Sequence, residues 1–218
     1  MIQDIFPLST RVNRIVPKRT FIDKLGANAR MKEHFTHDVV SIEWYAKLVP
    51  STLNVSDGTY VHEIAVFVVP LKAKDCPDDI FTFIDSMMPR HTLFILQYEE
   101  ETCMLINYKQ VINNNSEQQY KVIRSYRSPW MSHDALKINI LHHTMDSLYE
   151  SLVRQIAGSH ITSEVKDLNE AIELTAKQEV LLKEIAALEK KIAAERQPQK
   201  KFLLHKQLTE LKMKQHNG

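Results

Sequence analysis

Glycine is scarce in this chain, with 4 residues in 218, and proline is held to 8. That scarcity excludes long flexible linkers and any glycine-rich loop of the kind that wraps a phosphate. No serine-elbow motif occurs either. Cysteine appears only as Cys76 and Cys103, too few for a disulfide framework and without zinc-knuckle spacing. A cytoplasmic setting is the expectation from that usage. The longest apolar run, residues 64–71, is far short of the roughly 20 residues that span a bilayer, so no membrane role is expected. Residues 1–7 have no basic segment and no apolar core, so they do not read as a signal peptide. Charge of one sign is missing too: 28 Lys and Arg face 27 Asp and Glu, a net charge of +1. This balance argues against wholesale coating of nucleic acid, although it leaves room for a local basic patch.

What is present is a globular composition, 44% hydrophobic and 25% charged, long enough for one sizeable core plus an appendage. Residues 1–17 read as an irregular lead-in, and residues 18–35 as one or two short helices stopped by Gly26. Alternation over 39–48 predicts a strand. Asp57-Gly58 predicts a turn, and residues 60–72 predict a longer strand whose apolar centre fits a position covered on both faces. A helix opened by Asp78 or Asp79 and closed by Pro89 follows. Strands are expected at 92–98, 102–109 and 119–126, with a loop at 113–116. Ile138, Leu141, Met145, Leu148, Leu152 and Ile156 then predict a helix over 138–156. The expected fold is α+β over residues 1–158: a roughly five-stranded mixed or antiparallel sheet flanked by helices.

Residues 162–218 predict an antiparallel helical hairpin. Leu181, Ile185, Leu188 and Ile192 recur at steps of four and three, which places them on one helical stripe. Pro198 breaks the helix, and Leu204, Leu208 and Leu211 repeat the same steps. Thr162 or Ser163 is the expected cap. These seven apolar residues are the candidate partner-binding set, for another protein or a second copy of the chain. The outgoing helix is the longer one, so its unpaired half must bury Leu168, Ile172 and Val180 on the sheet domain or on another chain.

The sharpest catalytic idea is a metal-dependent nuclease with Asp57 in the turn, Glu63, and Lys72 at the end of the following strand. The usual acid-any-lysine triplet is broken here, because the slot reads Pro70-Leu71-Lys72. Glu63 and Lys72 are also nine residues apart, an odd separation that places them on opposite faces of a regular strand. A solvated lysine after a buried strand is the plainer reading. Two groups could contact nucleic acid: Trp44, Lys47 and Thr52 at one strand end, and Lys121, Arg124 and Arg127 beside Tyr120, Tyr126 and Trp130. The plainer readings are a core tryptophan beside a polar turn, and charges that protect a sheet edge. His34 with His37, and adjacent His142 and His143, lack the partners of a metal site, and neither metal nor cofactor is expected.

Several stretches together resemble one family. They are Pro17-Lys18-Arg19; residues 42–54, Ile-Glu-Trp-Tyr-Ala-Lys-Leu-Val-Pro-Ser-Thr-Leu-Asn; Glu63-Ile64-Ala65-Val66-Phe67; Asn107-Tyr108-Lys109; and Leu188-Glu189-Lys190-Lys191-Ile192. The chain is similar over nearly its whole length to the bacterial family catalogued as domain of unknown function 4391. The resemblance implies a companion of DNA methyltransferases and helicases in bacterial defence loci, an accessory subunit of a restriction-like or antiphage system. It carries over no catalytic residue. It also implies an acid in relatives where this chain has Pro70. Three functions follow in order: an interaction module docking through its arm, a metal-dependent nuclease, and a non-catalytic nucleic-acid-binding module.

Overall fold

The computed structural model describes residues 5–24, 26–114, 117–162 and 165–216. The chain divides into two compact units, Met1–Gly158 and Ser159–Gly218. The first unit is built on one sheet, with strand order β1 (Arg11–Ile15), β2 (Glu43–Leu48), β3 (Ile64–Pro70), β4 (His91–Tyr98), β5 (Glu101–Asn114) and β6 (Glu117–Arg127). A short β7 (Met131–Ser132) pairs with the start of β5. Every pairing between these strands is antiparallel except β3 with β4, which run parallel. Parallel neighbours need a crossover, and α4 (Asp79–Ser86) provides it.

On one face of the sheet, Ala65, Phe67, Val69, Phe94, Leu96 and Leu105 meet Phe21 of α1 (Lys18–Lys24), Phe35 of α2 (Ala29–His37), and Ile80, Phe81 and Ile84 of α4. Phe94 sits at the centre, with ring centroids 5.8 Å from Phe67 and 5.2 Å from Phe81. Ile64, Val66 and Val68 alternate with the first set and are buried as well. Helix α5 (Met145–Ala157) packs against β5 and β6. A strand covered on both faces reads as an unbroken apolar run, as β3 does.

The α+β class is as expected, but the sheet is wider, with seven strands among the described residues. β1 lies where an irregular lead-in was expected. It is an edge strand with a register shift between Arg11 and Arg14 and a left-handed Asn13 at φ 49°, so it shows no alternation. β2 begins only at Glu43, and Val39 makes an isolated bridge to Leu71. β3 is shorter than the 60–72 expected. The Asp146 carboxylate accepts the backbone N–H groups of Thr59, Tyr60 and Val61 at 2.6, 3.1 and 2.8 Å and folds that stretch into a turn. β5 and β6 run further than expected, up to Asn114 and from Glu117, leaving the expected loop's residues 115–116 outside the described residues.

Helix α5 begins at Met145 and not at 138. Thr144 and Ser147 form a reciprocal capping box there, and Leu141, which matched the helical spacing, is 84% exposed. Helix α4 ends at Ser86, with Asp78 as an N-cap whose side chain makes no capping bond; it pairs with Arg127 at 2.9 Å. Residues 50–53 form a short α3 (Pro50–Leu53), closed by a left-handed Asn54 at φ 55°. Gly26 has φ 66°, and Ala27 N–H reaches back to the Ile22 carbonyl at 3.1 Å, the geometry of a helix stop.

The second unit holds α6 (Leu168–Ala194) and α7 (Pro198–His216), packed together. Asp167 caps α6 by accepting Glu170 N–H at 2.9 Å, downstream of the expected Thr162; Ser163 lies outside the described residues. Pro198 opens α7, where a missing N–H costs nothing. Among the described residues, no helix is long and apolar enough to cross a membrane.

The turn before β3 generates a test. A Cβ on Gly58 would lie 2.4 Å from Asp146 Oδ1 and 2.5 Å from the Val61 carbonyl oxygen. Gly58→Ala should therefore lower the urea midpoint. It should still do so in an Asp146→Ala background, because the Val61 carbonyl is backbone and cannot swing away. An unchanged midpoint in both backgrounds would contradict this reading of the turn.

Candidate functional site

The three residues proposed for metal-dependent cleavage are not brought together. Glu63 precedes β3 and Lys72 follows it, so the strand separates them by on the order of 25 Å. Glu63 is held by Arg90 at 2.5 Å and Lys47 at 3.2 Å. Lys72 donates its ammonium to the Thr36 carbonyl at 2.8 Å, at the C-terminal end of α2. Lys18 does the same to the carbonyls of Phe35 and Val39, at 2.8 and 2.9 Å. Both lysines satisfy carbonyls that a helix end leaves open, and both favour the negative end of its dipole. Asp57 binds the His62 ring at 3.0 Å, a contact that lowers its carboxyl pKa. Among the described residues, no group of three or more His, Cys, Asp or Glu could hold a metal ion.

The two basic-aromatic groups do not form one patch. Trp44 and Lys47 lie on β2, and Lys121, Arg124 and Arg127 on β6, four strand spacings away, or about 19 Å. Trp44 packs against the core and donates its indole N–H to the Ala46 carbonyl at 2.9 Å. The guanidinium of Arg90 lies 5.8 Å from its ring. Thr52 receives Val49 N–H at 3.2 Å at the start of α3. Arg127 is taken up by Asp78 and by the Cys76 carbonyl at 3.1 Å, and Arg124 lies over the Tyr126 ring. Lys121 is exposed.

The most concentrated polar chemistry lies elsewhere, around Lys109 on β5. Its side chain and that of Asp85 on α4 are both 0% exposed, with Nζ 2.7 Å from Asp85 Oδ1. The same ammonium donates to the carbonyls of Asp85, Met88 and Arg90 at 2.9, 3.4 and 2.6 Å. Burial pushes the Lys109 ammonium down and the Asp85 carboxyl up in pKa, and each charge pulls the other back toward ionisation. Two residues earlier, Asn107 is fully buried and accepts from Ser125 Oγ at 2.5 Å and Thr82 Oγ1 at 3.4 Å. Tyr149 of α5 donates to the Asn107 carbonyl at 2.6 Å and accepts Lys109 N–H at 3.0 Å. His91 completes the group, with its ring 4.3 Å from Tyr149 and 5.0 Å from Tyr120.

No substrate reaches an ammonium with no exposed surface, so this cluster clamps the fold. It ties the α4–β4 crossover to β5 from one side while Tyr149 holds β5 from the other. The sequence signal was available: Asn107 and Lys109 are polar residues at positions that continue the buried alternation of Cys103 and Leu105.

In the hairpin, the stripe residues face one another. Ile185 and Ile192 are buried, and Leu181, Leu188, Leu204, Leu208 and Leu211 are half-buried. Lys212 pairs with Glu189 at 2.8 Å across the two helices. Six of the seven residues expected to bind a partner, all but Leu181, thus lie along the hairpin's own seam; with Lys212 beside Glu189, α7 ends before it reaches Leu181. A seam between two helices stays open along its flanks, and the fully exposed apolar side chains are others: Val180, Leu182, Phe202, Leu203 and Met213.

Two measurements follow from the buried cluster. Lys109→Met should cost about 3–5 kcal/mol in urea unfolding, because it leaves the Asp85 carboxylate buried without its cation. Adding Asp85→Leu should recover part of that loss; an unperturbed Lys109→Met protein would contradict the clamp. Burial, with smaller contributions from Lys109 and His62, lowers the His91 pKa from 6.5 to about 3. Below pH 6.5 the unfolded chain takes up a proton that the folded chain refuses until about pH 3. Stability should therefore fall as the pH drops through this window, by up to about 1.4 kcal/mol per pH unit from this group. His91→Phe should make the slope shallower by that amount, and an unchanged slope would show that His91 titrates normally.

The model of a family described as Domain of unknown function (DUF4391) matches residues 5–214, which takes in the sheet and both helices of the hairpin. No curated protein matches the chain, and no solved structure does. With the match extending over nearly all of its length, the chain belongs to the DUF4391 family.

Proposed function

We propose that the protein is an accessory protein-interaction subunit of a bacterial DNA-acting system, restriction-like or antiphage, that works in the cytoplasm and assembles through its helical hairpin. The observation that carries this reading is the apolar surface of that hairpin. Phe202 is 72% exposed, Met213 61% and Leu203 59% on a helix only 19 residues long. Single apolar side chains at a surface are ordinary, but a slender arm whose seam is half-open and whose outer positions are also apolar is what a docking element needs. In the sheet domain, by contrast, Glu63 and Lys72 lie at opposite ends of β3, and the strongest polar cluster is sealed in the core. The DNA-acting setting rests on the family resemblance and names a helicase or a DNA methyltransferase as the assembly partner.

The test uses the whole chain. Tagged wild-type protein and a Phe202→Glu/Leu203→Glu variant are captured from the native cell, and the retained proteins are identified. The wild type should hold a helicase or a DNA methyltransferase, and the variant should lose it while keeping its circular dichroism. Retention of the same partner by both proteins would contradict docking through the arm.

A further inference from the structure

The tip of the hairpin carries charge that its own fold does not use. Residues 189–206 hold six cations, Lys190, Lys191, Arg196, Lys200, Lys201 and Lys206, against two carboxylates, Glu189 and Glu195. Both carboxylates are already engaged: Glu189 by Lys212 at 2.8 Å, and Glu195 by the backbone N–H of Gln197 at 2.8 Å. Among the described residues, none of the six cations makes an ion pair. The chain as a whole has a net charge of only +1, so this excess is local to the tip.

Apolar surface lies in the middle of that charge. An open groove of about 520 Å³ runs along one flank of the two helices, walled by Lys191 and Ala194 of α6 and by Lys200, Leu203, Leu204 and Gln207 of α7. Glu195, which also lines it, is the carboxylate held by Gln197. The walls recur at steps of three and four, so each helix contributes one continuous face. Leu203 is 59% exposed there, and Ala194 is exposed as well. The α7 face spans residues 200–207, on the order of 10 Å. Two antiparallel helices present such a flank to a third helix, which lays its own apolar stripe along it.

The occupant has to meet both features. Nucleic acid would satisfy the cations but would set a charged backbone against Ala194, Leu203 and Leu204. A neutral apolar helix would cover the floor and leave Lys191 and Lys200 unpaired on either wall. A second copy of the same tip would bring like charge to like. A helix with apolar residues at i, i+3 or i+4, and i+7, and with carboxylates flanking them, satisfies floor and walls together. We propose that the groove receives an acidic amphipathic helix of a partner protein, with Leu203 against its apolar stripe and Lys191 and Lys200 paired with its carboxylates. The inference rests on the reading of the arm as the docking element and names the chemistry of what it docks.

The experiment uses the full chain. Gln207→p-benzoylphenylalanine places a photo-reactive group at the end of the groove in the native cell, and the cross-linked peptide is sequenced. It should carry Asp or Glu beside apolar residues at helical spacing. Cross-linking to a segment without that pattern, to nucleic acid or to a second copy of the chain, or no cross-link at all, would overturn the proposal. A synthetic peptide of the cross-linked segment should bind the wild-type chain, and less tightly as salt rises. It should bind Lys191→Glu/Lys200→Glu at least about tenfold more weakly. A peptide with its carboxylates replaced by lysine should reverse that preference, which also shows that the variant is folded. Equal affinity of both proteins for the acidic peptide, or a lysine peptide that does not prefer the variant, would overturn the proposal. If Lys191→Glu/Lys200→Glu still retains the helicase or methyltransferase that Phe202→Glu/Leu203→Glu loses, the acidic occupant fails and docking through the arm stands.

Discussion

An ammonium with no exposed surface has to be fully paired, and that constraint organises the sheet domain. Lys109 meets it with one carboxylate and three backbone carbonyls, all drawn from the end of α4 and the turn into β4. The parallel pairing of β3 with β4 depends on that crossover returning to the right place. By fixing the crossover on β5, Lys109 sets where β4 begins and hence which residues of β3 and β4 lie opposite each other. Tyr149 bonds the backbone on both sides of Tyr108 and so links α5 to the same point, where the β5–β6 register shifts. Helices from both faces of the sheet thus converge on three consecutive residues, Asn107-Tyr108-Lys109.

The stretches that mark the family have the same character elsewhere in the sheet domain. Lys18 of Pro17-Lys18-Arg19 closes the end of α2. Glu63 of Glu63-Ile64-Ala65-Val66-Phe67 anchors Lys47 and Arg90 beside the start of β4. Thr52 and Asn54 shape the short helix after β2. These polar residues bond within the chain, and what they secure is the fold. The hairpin differs. Its seam buries Ile185 and Ile192, and its outer positions keep apolar area exposed at Phe202, Leu203 and Met213.

Legibility in the sequence followed the physics of each element. β3, β4 and the two arm helices announced themselves because burial on both faces, or along one helical stripe, leaves a strong pattern. β1 did not, because an edge strand with a bulge and a left-handed asparagine carries no alternation. The start of α5 was misplaced because Ile138 and Leu141 happen to keep helical spacing, and Thr144, which opens the helix, is a more local signal. The candidate site residues were chosen by chemical type, and type does not reveal partners. Lys72 and Arg127 looked available for catalysis or nucleic acid but are spent on α2 and on Asp78. Lys109 was noted only as part of the stretch Asn107-Tyr108-Lys109 that carries the family resemblance, because a lysine in a strand reads as solvated until its neighbours' burial is known.

The central claim is that contact with other chains is made by the arm, and that the sheet domain serves to hold its own fold. Amide hydrogen exchange of the full chain, free and bound to the partner that it retains from the cell, examines this most directly. The account predicts that protection rises on binding in the arm, around residues 198–206, while the amides of β3, β4 and β5 exchange at the same slow rate in both states. Protection that grows in the sheet, or exchange in the arm that ignores the partner, would contradict it.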